Sequence, residues 1–111
     1  EQRRRRWTPL RDLAGLLLSL DHAATSAARR VRATGGDDAP LASWADGARA
    51  EALAAYARGI AAEPRLVVDE RLVRACEAEK ECAEVLYAAR TLPDWLYAPL
   101  AVLERRFGDG G

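Results

Sequence analysis

Glu77, Lys80, Glu84 and Tyr87 fall on one arc roughly 80° wide when the chain from Asp69 to Trp95 is wound at 3.6 residues per turn. Two carboxylates, an ammonium and a phenol on one stripe can form a wall of a polar-ligand site. The same stripe can equally be a solvated helix face. Trp95 follows two residues after Pro93, where the chain turns back, and adds an aromatic surface close to the stripe. Other chemistry is sparse. There is no Gly-x-x-x-x-Gly-Lys-Ser/Thr phosphate loop, no G-x-S-x-G elbow and no H-E-x-x-H pair. With a single histidine, a zinc site is not expected. Asp21-His22 is a weak general-base signal, and it reads more simply as a satisfied polar pair on a helix surface.

The elements that must position these residues are read as helices. The stretch Asp69 to Trp95 reads as one helix of about six turns, capped by Asp69 and broken at Leu92-Pro93. Its packed side is expected to be Leu72, Val73, Cys76, Ala83 and Leu86, with Lys80 and Glu84 as an i,i+4 pair. Upstream, Thr8-Pro9 resembles a helix opening, with threonine as cap and proline in the first turn. Leu10, Leu13, Leu17, Leu20, Ala24, Ala27 and Val31 then recur at three- and four-residue spacings, which predicts a buried stripe ending at Gly35-Gly36. Asp12 sits early in this helix, where a carboxylate suits the helix dipole.

A second helix is expected from about Pro40 to Ala62, packing through Leu41, Trp44, Ala48, Ala52, Ala55, Tyr56 and Ile60. Glu63-Pro64 should end it, and Leu66-Val67-Val68 forms a short link. Pro99 opens a last short helix, Leu100 to Phe107. The expected fold is therefore all-α, with three longer helices plus a short C-terminal one.

The totals agree. The 111 residues carry 17 Lys+Arg against 17 Asp+Glu, so no overall field favours nucleic acid or a membrane surface. Arg3 to Arg6 form a basic run, but no second basic cluster supports phosphate tracking. The longest apolar run, Leu16 to Leu18, is far short of the ~20 residues that span a bilayer. No signal peptide is read at the start. Cys76 and Cys82, six apart on one helix, point different ways and are expected to be reduced thiols in a cytoplasm.

Two stretches carry a resemblance. TPLRDLAGLLLSLDHAA, Thr8 to Ala24, and EKECAEVLYAARTLPDWLYAPL, Glu79 to Leu100, are similar to helices after the catalytic loop and at the sugar site of actinobacterial-type maltokinases and glucosamine kinases. These sugar kinases have the aminoglycoside-phosphotransferase, eukaryotic-kinase-like fold. The run L-Y-A-x-R-x-L-P-x-W-x-Y-x-P, Leu86 to Pro99, is nearer the glucosamine kinases, and so is Ser19 to His22. Glu79-Lys80 followed by Tyr87 also resembles the maltokinases.

The resemblance implies that residues 1–111 are the helical C-terminal subdomain of a kinase C-lobe. The ATP-binding N-lobe, the catalytic aspartate and the magnesium-binding aspartate would then precede Glu1, and the chain alone would not transfer phosphate. It further implies that Glu84 and Trp95 contact glucosamine, or Lys80 and Tyr87 maltose, and that Asp12 braces the catalytic loop. A free-standing helical interaction module is the alternative that the residues themselves leave open.

Overall fold

A computed structural model describes the backbone of residues 2–60 and 69–108, with side chains from Pro9 onward. Among these residues the protein is helical throughout: α1 (Gln2–Ala33), α2 (Ala39–Ile60), α3 (Glu70–Thr91), a single 3₁₀ turn (Pro93–Trp95) and α4 (Tyr97–Phe107). The all-α expectation holds. The basic run Arg3 to Arg6 lies in α1, but its side chains are outside the described set, as are the link Leu66–Val68 and the expected stop at Glu63-Pro64.

Helix α1 is the centre of the bundle and packs against α2, α3 and α4. Leu10, Leu13, Ala14 and Leu17 of α1 meet Val73 and Cys76 of α3, with Ala52, Leu53 and Tyr56 of α2 and Leu72 of α3 packed around them. Each fully buried leucine or valine contributes on the order of 1.5–3 kcal/mol relative to exposure. The cluster therefore supplies the main apolar adhesive between the first three helices.

The helix ends follow local chemistry. Asp69 caps α3, its carboxylate accepting from the backbone N–H groups of Arg71 and Leu72. Leu92 closes α3 by donating its N–H to the Ala88 carbonyl, and Pro93 cannot extend the ladder. At the end of α1, Gly36 donates to the Val31 carbonyl and Gly35 to that of Arg32, with Gly35 at φ 79°. This is a Schellman closure, and the left-handed residue favours glycine.

Several expectations need correction. Helix α1 begins at Gln2, so Thr8 is no cap and Pro9 lies inside the helix. The missing Pro9 N–H costs one ladder bond, yet the long helix accommodates it. Helix α4 starts at Tyr97, leaving Pro99 in its first turn, where no donor is required. The packed side of α3 is Val73, Cys76, Glu77, Glu81 and Ala88, while Leu86 is 59% exposed. Ala83 faces solvent as well. Leu72, Val73 and Cys76 pack as expected, but the buried side also takes in Glu77 and Glu81, which meet Arg49 of α2 and His22 of α1. In α2 the buried position is Ala45, whereas Trp44, expected to pack, is 49% exposed.

Candidate functional site

The turn of the chain at Pro93 to Trp95 brings the end of α3, the start of α4 and the second half of α1 into one corner. The indole Nε1–H of Trp95 donates to Glu84 Oε1 at 3.3 Å, so the rim of the corner is tied to the side of α3. His22 of α1 meets the Trp95 ring edge-on, with centroids 5.5 Å apart and planes at 77°. Tyr97 meets it similarly at 5.9 Å and 74°. Such edge-to-face pairs add about 0.5–1.5 kcal/mol each beyond area burial. They also fix the plane of the indole.

His22 is itself held. Its Nε2 lies 2.9 and 2.8 Å from the two carboxylate oxygens of Glu81, which is fully buried. The buried carboxylate thus has a partner, as a low-dielectric interior demands, and the imidazole is locked against Trp95. A chain of contacts runs from the interior of α3, through α1, to the aromatic corner.

One turn deeper lies a second polar cluster. Asp21, only 3% exposed, accepts from Arg49 Nη1 at 2.8 Å and from Arg106 Nη2 at 2.7 Å. Arg49 also reaches both oxygens of buried Glu77, at 2.7 and 3.2 Å. Arg106 goes on to Asp46 at 2.8 Å. The bond to Asp21 is the main reason that the Arg106 guanidinium is held above its ordinary pKa. The bond from Arg106 likewise holds the Asp46 carboxyl below the usual value of 3.8. One cluster therefore joins α1, α2, α3 and α4.

The expected site residues divide accordingly. Glu84 and Trp95 are brought together. Lys80 does not ion-pair with Glu84 as anticipated; it is exposed, with its Nζ lying above Gly15 of α1. Tyr87 is 52% exposed on the outer side of α3. Asp12 is exposed and faces α2, where its charge, after burial, contributes to raising the Tyr56 pKa. Asp21 and His22 are not a pair at the helix surface: Asp21 is held by Arg49 and Arg106, and His22 by buried Glu81, all on other helices.

Sequence reasoning missed Asp21, Arg49, Glu77, Glu81 and Arg106 as an interior set. A signal was present. Asp21 lies four residues after Leu17 and three before Ala24, Glu77 four after Val73, and Arg49 four after Ala45, so all three are in register with buried apolar positions.

Beside Trp95 an open cleft of about 820 Å³ lies between the end of α1 and the 3₁₀ turn. Ser26, Arg29, Arg30, Asp94, Trp95 and Tyr97 contribute to its walls, and Glu84 does not. Among the described residues no group of three or more His, Cys, Asp or Glu side chains is placed to hold a metal ion. The buried carboxylates are already engaged by arginine or histidine.

The Trp95 indole, tied to Glu84 and bordered by His22 and Tyr97, thus stands at the edge of the cleft. Among known proteins, the chain is similar to part of a sugar kinase. It is 33% identical over 100 residues to a curated glucosamine kinase from Streptacidiphilus jiangxiensis. The match takes in 89% of this chain and 22% of that kinase, so the chain spans about a fifth of the relative's length. No family model matches the chain, and no solved structure does. No described helix is long and apolar enough to cross a membrane, and both cysteines are free thiols.

Proposed function

We propose that this chain is the acceptor-sugar-binding C-terminal portion of an ATP-dependent sugar kinase, with glucosamine as the acceptor. The observation that carries the reading is the Glu84–Trp95 pair at the aromatic corner, in a chain similar to part of a glucosamine kinase. A protonated sugar amine is matched by a partly desolvated carboxylate, and a charge-assisted hydrogen bond contributes about 1.5–3 kcal/mol. Only Oε1 of Glu84 is engaged among the described residues, and at 3.3 Å that bond is long enough to yield to a better donor. The indole supplies an apolar face for the C–H surface of a pyranose.

In the longer enzyme the reaction is transfer of the ATP γ-phosphoryl group to a sugar hydroxyl, giving glucosamine 6-phosphate. ATP and magnesium would be held by residues outside this chain, which contributes orientation of the acceptor. Asp12, exposed on α1, is available to brace the catalytic loop of that enzyme. A cytoplasmic setting belongs to the same reading. Maltose is the alternative acceptor; the two residues that would serve it, Lys80 and Tyr87, are exposed, and like Glu84 they lie outside the cleft wall, but only Glu84 is bonded to Trp95, which lines it.

The test is kinetic. In the longer protein, Glu84→Gln is expected to raise KM for glucosamine about tenfold or more while leaving the unfolding midpoint nearly unchanged. Unaltered kinetics would remove Glu84 from the site, and selective turnover of maltose over glucosamine would overturn the assignment of the sugar.

A further inference from the structure

The Trp95 ring is flanked on two sides, and each flank ends on a charged group. On the inner side stands His22, its ring centroid 5.5 Å away, hydrogen-bonded to the fully buried Glu81. On the outer side stands Tyr97 at 5.9 Å, and the guanidinium carbon of Arg29 lies over the Tyr97 ring, 4.1 Å from its centroid. The inner flank ends inside the bundle. The outer one is open: Arg29 is exposed, and Arg29, Trp95 and Tyr97 share the wall of the cleft.

Arg29 and Tyr97 come from different helices, so the stack ties the last turns of α1 to the start of α4, just after the 3₁₀ turn that carries Trp95. Among the described residues it is the one polar or ring contact that the Arg29 side chain makes. The Tyr97 hydroxyl forms no hydrogen bond among these residues, and the ring has Arg29 and Trp95 as its neighbours. A planar guanidinium laid on an aromatic face opposes tilting of that ring. Removing Arg29 therefore loosens the outer flank of Trp95 and leaves the inner one in place.

We propose that Arg29 is a positioning residue of the acceptor corner: through Tyr97 it sets the tilt of the Trp95 indole against which the sugar ring rests. The inference rests on the acceptor reading, and it adds a residue from the far end of α1 that acts through two rings rather than on the sugar itself. An exposed cation–aromatic stack corresponds to about a two- to fivefold change in an equilibrium constant. That range sets the size of the effect on acceptor binding.

The experiment is steady-state kinetics of the longer protein, with glucosamine and ATP varied in turn. Arg29→Gln is expected to raise KM for glucosamine about two- to fivefold, with kcat, KM for ATP and the unfolding midpoint nearly unchanged. Arg30 lines the same cleft and makes no contact with Tyr97 among the described residues, so Arg30→Gln removes an equal charge without touching the stack and should match the parent. Tyr97→Leu removes both ring contacts and should raise KM further than Arg29→Gln, whereas Tyr97→Phe keeps the ring and should stay close to the parent. A glucosamine KM unmoved by Arg29→Gln, an equal rise for Arg30→Gln, or a full rise for Tyr97→Phe would each overturn the proposal. A second readout needs no sugar: in the ¹⁵N-labelled chain, Arg29→Gln should shift or broaden the indole N–H resonance of Trp95, and Arg30→Gln should not. If that resonance responds to Arg29 while Glu84→Gln leaves glucosamine kinetics unaltered, the coupling of Arg29 to Trp95 stands and the acceptor reading fails. If Glu84→Gln raises KM while both readouts ignore Arg29, the acceptor reading stands and the positioning role fails.

Discussion

Replacing Arg49 by methionine is expected to cost about 3–5 kcal/mol of folding stability, the range for stranding one partner of a buried ion pair. Arg49 is the partner of two carboxylates, and they do not suffer equally. Asp21 keeps two bonds from Arg106, at 2.7 and 3.1 Å. Glu77, 3% exposed, has its hydrogen bonds from Arg49 alone among the described residues. The cost therefore falls mainly on Glu77. Against a typical total of about 5–15 kcal/mol, such a loss is a large fraction. Urea unfolding followed by far-UV circular dichroism should show the midpoint falling by roughly 1–3 M, with little change in slope.

The companion double variant Arg49→Met/Glu77→Leu removes both charges, and it should recover stability to within about 1 kcal/mol of the parent, since an apolar pair often replaces a buried ion pair without loss. Arg49→Lys should fall between, because an ammonium lacks the fork that reaches both oxygens of Glu77. A loss below about 1 kcal/mol for Arg49→Met, or a double variant no better than the single, would refute the view that the interior carboxylate is what Arg49 satisfies.

Other outcomes follow from the same structure. The Asp46 carboxyl is held below 3.8 in the folded protein, so its contribution is present above its unfolded value and lost as pH falls through the folded one. Asp46→Asn should thus flatten the acid limb of a stability-against-pH curve below about pH 4, by a small amount because the group is largely exposed. Cys82 is exposed, while Cys76 is buried with its thiol pKa pushed up by burial. A thiol reagent should label Cys82 in the native protein and Cys76 only on unfolding, and mass spectrometry of labelled peptides reads this directly. His22→Ala should disorder the Trp95 ring and leave Glu81 buried without its partner, seen as a changed indole resonance together with a stability loss of about 1–3 kcal/mol.

Local signals in the chain were the legible ones. Asp69 as cap, the break at Leu92-Pro93 and the closure at Gly35-Gly36 are properties of a few neighbouring residues, and each is where the chain places it. The apolar stripe from Leu10 to Leu17 was legible because leucines dominate it. The start of α1 was not, since Thr8-Pro9 has the composition of an opening and only the continuing helix overrides it. Leu72, Val73 and Cys76 were rightly placed on the packed side of α3, but Ala83 and Leu86 were misplaced there and Glu77 and Glu81 missed, for a deeper reason. Hydrophobic periodicity assigns charged positions to solvent, but Glu77 and Glu81 are hydrogen-bonded to Arg49 and His22, which lie 28 and 59 residues away in sequence. The register of Glu77 with Val73 is visible within one helix, but the partners that permit its burial are not. At the candidate site, Glu84 and Trp95 were singled out together by the family resemblance, and they lie 11 residues apart across one turn. The His22–Glu81 support for Trp95 was not, because it is made between helices.

The Asp21–Arg106 bond joins residues 85 positions apart. Until α4 arrives, Asp21 has, among the described residues, only Arg49 to offset its charge, and Arg49 must divide itself between Asp21 and Glu77. The first three helices can collapse on their leucines during synthesis, but their polar centre stays short of one positive charge until Arg106 is delivered. Assembly is accordingly completed by the last helix, which a short turn tethers to α3: the closing event is a charge reaching the middle of the bundle.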